Sequence, residues 1–164
     1  KIEIGFLEGE ARNAGVCLEA IAEDEIVLIA SEENSLAKME RPVRRDLLAQ
    51  SFILPEPGSS IRQLIEVVLK DIGIAPDKLK VSMILGNPEL IVSMVRSGIG
   101  VSFVSRWSAF DALREGSIKG IAVPGKGVRR KFYLVTSGRE LPTAASRAFR
   151  EFVREYKFFT PFGL

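Results

Sequence analysis

Histidine is absent from the 164 residues, and cysteine occurs once, at Cys17. Those two absences remove the commonest general base, any Ser-His-Asp triad, any Cys/His zinc set and any internal disulfide. No catalytic residue, metal or cofactor is therefore expected. A single thiol suits a reducing compartment, so a cytoplasmic location is expected, and Cys17 reads as a small apolar residue rather than a redox sensor. Nothing resembles a signal peptide, and no apolar run approaches the ~20 residues of a membrane helix. Charge of one sign is also scarce. The formal net charge is +2, so no global field draws the chain onto nucleic acid or membrane. If the whole protein binds DNA, another segment is expected to do it.

What is present is ordinary for a globular protein: 46% hydrophobic and 27% charged residues, which excludes wholesale disorder and fits one domain or two small lobes. The chain opens inside an alternation, with Ile2, Ile4 and Phe6 apolar between Lys1, Glu3 and Gly5. That period of two predicts a half-buried strand, and its abrupt start reads as a missing N-terminal part. Residues 16–22 and 25–30 read as two further strands split by Glu23-Asp24. A helical turn over 44–49 leads into a strand over 51–54. Beyond the break Pro55-Glu56-Pro57-Gly58, the residues Ile61, Leu64, Ile65, Val68, Leu69 and Ile72 form one helical stripe, capped by Ser59 or Ser60 and stopped at Gly73. Residues 80–85 and 101–104 read as strands around a helix over 88–97. A helical turn over 107–113 follows, then strands over 118–123 and 131–135. A last helix over 143–157 carries Ala145, Phe149, Phe152, Val153 and Tyr156 on one face. Alternating strands and helices without tight hairpins predict an α/β fold with mostly parallel sheet.

In such folds ligands bind beyond the carboxyl ends of strands, where helix N-termini also point. Two junctions qualify. At Gly58-Ser59-Ser60 the glycine lets the backbone approach a ligand, and the hydroxyls with the free N–H groups of the helix start can hold a carboxylate or phosphate. An ordinary serine cap explains the same residues. At Gly86-Asn87-Pro88-Glu89 the same two readings stand side by side, with Asn87 as cap or as amide donor to a bound acid. Glu8-Gly9 ends the first strand, so its backbone can also face a cleft, but no paired acidic motif stands out to make Glu8 catalytic. Asp24, Glu25, Glu32 and Glu33 read as solvated surface, and Arg129-Arg130-Lys131 as a wet strand edge. Gly98-Ile99-Gly100 follows a helix and precedes a strand, the wrong order for a dinucleotide loop.

Four segments in order resemble the LysR-type transcriptional regulators. Glu3-Ile4-Gly5-Phe6-Leu7-Glu8-Gly9 is similar to the family's strand end, with Glu3 where aspartate is usual. Glu23 to Ile29 followed by Ser35-Leu36-Ala37 is similar to its crossing strand and loop, with Asn34-Ser35 in place of His-Pro. Phe52 to Arg62 and Val95 to Arg106 resemble two further family segments. The resemblance implies a two-lobed fold like the type 2 periplasmic binding proteins, with the first lobe incomplete. Residues 1–25 and 133–164 would belong to lobe I and residues 26–132 to lobe II. It implies a small-molecule effector, held by Glu8, Gly58, Ser59, Ser60, Gly86 and Asn87. It further implies a homo-oligomer (dimer or tetramer), with DNA bound only through a missing N-terminal winged helix-turn-helix. The solute-binding receptor of a transporter is the alternative on the same fold.

Overall fold

A computed structural model of the chain describes residues 3–9, 15–123, 127–137 and 141–156. They fall into two compact units: Lys1–Asp24 with Arg129–Leu164, and Glu25–Val128.

In the larger unit, β2 (Cys17–Ser31) contributes its second half. Residues Ile26 to Ile29 run antiparallel to β5 (Ser102–Ser105), and Leu28 to Ser31 run antiparallel to β6 (Ile118–Ile121). Ahead of β3 (Ser51–Pro55) lies the short helix α1 (Arg44–Leu48). Then α2 (Ser60–Asp71) carries the chain to β4 (Lys80–Leu85), which lies parallel to β3 from Ser51↔Lys80 to Pro55↔Leu85. The helices α3 (Pro88–Arg96) and α4 (Phe110–Arg114) complete the unit.

Strand alternation sorts the core into two layers. Leu28, Phe52, Leu54 and Phe103 join Ile65, Val68 and Leu69 of α2, while their neighbours Ile29, Ile53 and Val104 join Ile91 and Val95 of α3 and Ala112 of α4. Both faces of the strands are thus covered by helices, which is why these strands read as continuous apolar runs rather than alternations. One close approach sets the spacing. Val101 exchanges backbone hydrogen bonds with β3, from Ile53 N–H and to Ser51 O, both at 2.9 Å. Gly100 beside it has no room for a side chain, since a Cβ would lie 2.5 Å from Ser51 O.

The smaller unit holds β1 (Ile4–Glu8), antiparallel to β7 (Val128–Thr136) from Ile4↔Thr136 to Glu8↔Phe132. It also holds the first half of β2 and α5 (Ala144–Glu155).

Three expectations change. The strands expected over 16–22 and 25–30 are one uninterrupted strand, β2. Glu23-Asp24 does not break it, because Asp24 points inward and meets Arg130 there. The sheet is mainly antiparallel rather than parallel. Among the described residues β3–α2–β4 is a strand–helix–strand crossover that delivers its second strand in the same direction, and Val101 ahead of β5 bridges Phe52 of β3 in parallel. Finally, of the expected apolar face on α5 only Val153 is buried, whereas Phe149, Phe152 and Tyr156 are 43–59% exposed. The helix turns Arg154 toward β2, where its guanidinium grips both Glu19 carboxylate oxygens at 2.9–3.0 Å. The aromatic rings then shelter one another, Phe6 against Phe149 at 6.2 Å and Phe149 on Phe152 at 6.5 Å.

Candidate functional site

Because β3 and β4 are parallel neighbours ending at Pro55↔Leu85, the two strand-to-helix junctions picked from the sequence open side by side. Gly58 adopts φ +86°, a left-handed conformation that favours glycine. It turns the chain so that Ser59 caps α2. The Ser59 hydroxyl accepts from Arg62 N–H at 3.2 Å and donates to Glu56 O at 2.9 Å. Ser60 is the exposed first residue of α2. The first turn of this helix contains no acidic residue, so its positive dipole end is not offset by a nearby side chain of its own. Arg62 folds back to donate to Pro55 O at 3.2 Å and stands 3.4 Å from Glu66.

At the second junction the Asn87 side-chain oxygen accepts from Leu90 N–H at 3.0 Å, and Pro88 fills the first helical turn. Gly86 lies under the Glu56 side chain, where a Cβ would meet Oε1 at 2.9 Å. The start of α3 opens on a cavity of about 420 Å3 lined by Asn87, Pro88, Glu89, Trp107, Ser108 and Asp111. Asp111 is held by Arg114 at 3.1 Å. This cavity includes Asn87, but Gly58, Ser59, Ser60 and Gly86 are outside its lining. Trp107, Ser108 and Asp111 were not among the residues picked from the sequence. A tryptophan followed by serine just after a strand, ahead of a helical turn, is the signal that marks them.

A larger cavity in the same unit, about 500 Å3, is lined by Glu25, Val27, Arg106, Gly120 and Val123 among others. Its arginine stands 3.8 Å from Glu25, and no helix starts there. The smaller unit has a cavity of about 280 Å3 where Cys17 stands with Glu19, Thr136, Arg150 and Arg154. Cys17 is half-buried rather than a core residue.

Glu8 belongs to the smaller unit, where its carboxylate pairs with Arg130 Nη1. Arg130 also donates from Nε to Asp24 at 2.9 Å, with Nη2 of the same arginine 2.8 Å away, and Asp24 is fully buried. The acidic cluster and the basic triplet are therefore not wholly surface features, since Asp24 and Arg130 form a buried pair. The signal was in the alternation. Asp24 shares its face with Ala22 and Ile26, and Arg130 shares its face with Leu134. Among the described residues no group of three or more His, Cys, Asp or Glu is placed to hold a metal, and no helix is long and apolar enough to cross a membrane.

The fold recurs in the CcmR regulatory domain of Synechocystis PCC6803, solved in complex with 2-PG. The TM-score is 0.77 at 17% identity, over 92% of this chain and 71% of that one. Among curated proteins, the chain is 33% identical over 157 residues to the phosphonates import ATP-binding protein PhnC of Anaeromyxobacter dehalogenans, covering 93% of this chain and 30% of that protein. It is 32% identical over 153 residues to the uncharacterized HTH-type transcriptional regulator YeiE of Escherichia coli K12, covering 93% of this chain and 50% of that one. The chain thus spans half or less of the length of these curated relatives. The model of the LysR substrate binding domain matches residues 1–157. With the two-unit α/β fold and the paired strand-end junctions it establishes that this chain belongs to the LysR substrate-binding-domain family.

Proposed function

We propose that the chain is the effector-sensing part of a LysR-type transcriptional regulator, and that its ligand is a small anionic metabolite. The observation that carries this reading is the parallel pair β3–β4, which delivers two helix starts to one place. The two ends differ in character. At α2 the backbone N–H groups, Ser60 and an acid-free first turn suit a carboxylate or phosphate. At α3 the cavity offers Asn87 and Ser108 beside Glu89 and Asp111, a mixed set suited to hydroxyl or amino groups of the same molecule. Glu8, Gly58, Ser59 and Gly86 complete the proposed contact set. The 2-PG held by the CcmR domain is in keeping with a small ligand.

In this reading residues 1–25 and 133–164 act as lobe I and residues 26–132 as lobe II. Ligand binding shifts the population of lobe arrangements, and a homo-oligomer passes the shift to DNA readers carried by another segment in the cytoplasm. The role is sensing, not catalysis. The HTH-type regulator among the relatives favours this over the transport-receptor alternative. Calorimetric titration with a panel of small carboxylic and phosphorylated acids tests it. At least one should bind saturably, and Asn87→Ala should weaken that binding about tenfold, the worth of one charge-assisted hydrogen bond. A panel with no binder would sink the anion reading.

A further inference from the structure

Between Lys38 and Arg45 the larger unit presents four cations, Lys38, Arg41, Arg44 and Arg45, all exposed, around the buried Leu36, Pro42 and Leu47. Those buried residues anchor the stretch, and Asp46 fixes the start of α1 by accepting from Val43 N–H at 2.8 Å. The cations are therefore displayed on ordered backbone. Glu40 and Asp46 are the only carboxylates within residues 38–46, so this stretch alone holds as much net positive charge as the whole chain, +2. Arg45 stands 3.6 Å from Asp46 yet keeps its side chain 88% exposed. Among the described residues no carboxylate lies within ion-pair distance of Lys38, Arg41 or Arg44. By contrast Arg62, Arg106, Arg114, Arg130 and Arg154 each hold one.

Uncommitted, exposed positive charge at short spacing fits a partner with repeated negative charges. Residues 38–46 contain no aromatic side chain, so they offer no platform on which unpaired bases stack. Met39 and Val43 are exposed among the cations, but two such side chains are too few for the apolar centre of a protein interface. Arginine and lysine alone suffice for duplex phosphates, which are bound without reading sequence. We infer that Lys38, Arg41, Arg44 and Arg45 form a sequence-independent contact for the backbone of duplex DNA. Its use in the cell rests on the regulator reading above. A second segment that reads the operator would hold this stretch beside DNA at high effective concentration, where a weak contact is enough.

The test is fluorescence anisotropy of a short random-sequence duplex titrated with the full chain over a series of salt concentrations. Four phosphate contacts imply roughly a hundredfold loss of affinity between about 50 and about 200 mM salt. The variant K38Q/R41Q/R44Q/R45Q should lose low-salt binding, with an unchanged denaturation midpoint because all four side chains are exposed. Failure of the wild-type chain to bind at low salt, or an equal salt slope in the variant, would overturn the inference. The acid panel run on the same samples separates the two readings. A chain that binds its acid but ignores the duplex leaves the sensor standing and removes only the DNA contact.

Discussion

Asp24 on β2 and Arg130 on β7 meet through contacts of 2.8 and 2.9 Å, with the Asp24 carboxylate wholly withdrawn from solvent and Arg130 9% exposed. The pair ties β2 to β7 within the smaller unit, next to the points in the chain where that unit gives way to the larger one. Glu8 reaches the same guanidinium from β1, so one arginine serves three strands.

Arg130→Ala leaves the Asp24 carboxylate buried without the guanidinium that faces it, which costs about 3–5 kcal/mol, whereas Asp24→Ala leaves Arg130 its Glu8 contact and costs less. Both losses of unfolding free energy should appear as lower urea midpoints at unchanged slope, with the larger drop for Arg130→Ala. The apolar double replacement Asp24→Leu with Arg130→Met should recover much of the loss, because it buries no charge. Equal destabilisation by the double and the sum of the singles would show that the two side chains act independently.

The aromatic residues separate core from surface. Phe52 is 1% exposed and stacks on Phe103 at 6.1 Å, so Phe52→Ala should cost about 3–5 kcal/mol. Phe149 is 43% exposed, and the partial burial it loses as alanine is worth about 1 kcal/mol. Denaturation midpoints of the two variants side by side decide the matter. A Phe149→Ala variant as unstable as Phe52→Ala would mean that something covers α5.

Neighbouring serines should behave differently. Ser59 accepts from Arg62 N–H, so Ser59→Ala should lower stability by about 1 kcal/mol through the lost cap. Ser60, the exposed first residue of α2, is not its N-cap. Ser60→Ala should instead weaken ligand binding by about 1 kcal/mol, or more if the hydroxyl meets a charge. Thermal melts combined with titration of the best acid separate the two effects. Unchanged affinity in Ser60→Ala removes that residue from the site.

Much of this architecture was legible because local signals agreed. The stripe from Ile61 to Ile72 and the preceding serines describe α2 and its cap, and Lys80–Leu85 was bounded correctly as a strand. The two junctions were visible for the same reason, since glycine, serine and asparagine at helix starts carry a backbone requirement. Pairwise facts were not visible. Nothing in Glu23-Asp24 reveals that Arg130, more than a hundred residues later, holds the carboxylate inside. Strand direction was also hidden, because a long continuous β2 was read as two pieces. On α5 the apolar residues share a helical face, yet the helix docks by an arginine–glutamate pair, and tertiary contact overrides periodicity. Trp107 and Ser108 escaped notice because a cavity is made by segments distant in sequence.

The fit of Gly100 against Ser51 O is a contact of main chain on main chain, indifferent to whatever small molecule the protein meets. The exposed Asn87 bears no such restraint beyond what capping asks of it. Lineages that diverge in what they sense should therefore drift at the mouth of α3 while glycine persists at position 100. One scaffold can in this way be re-tuned to new chemical cues without renegotiating how its strands close.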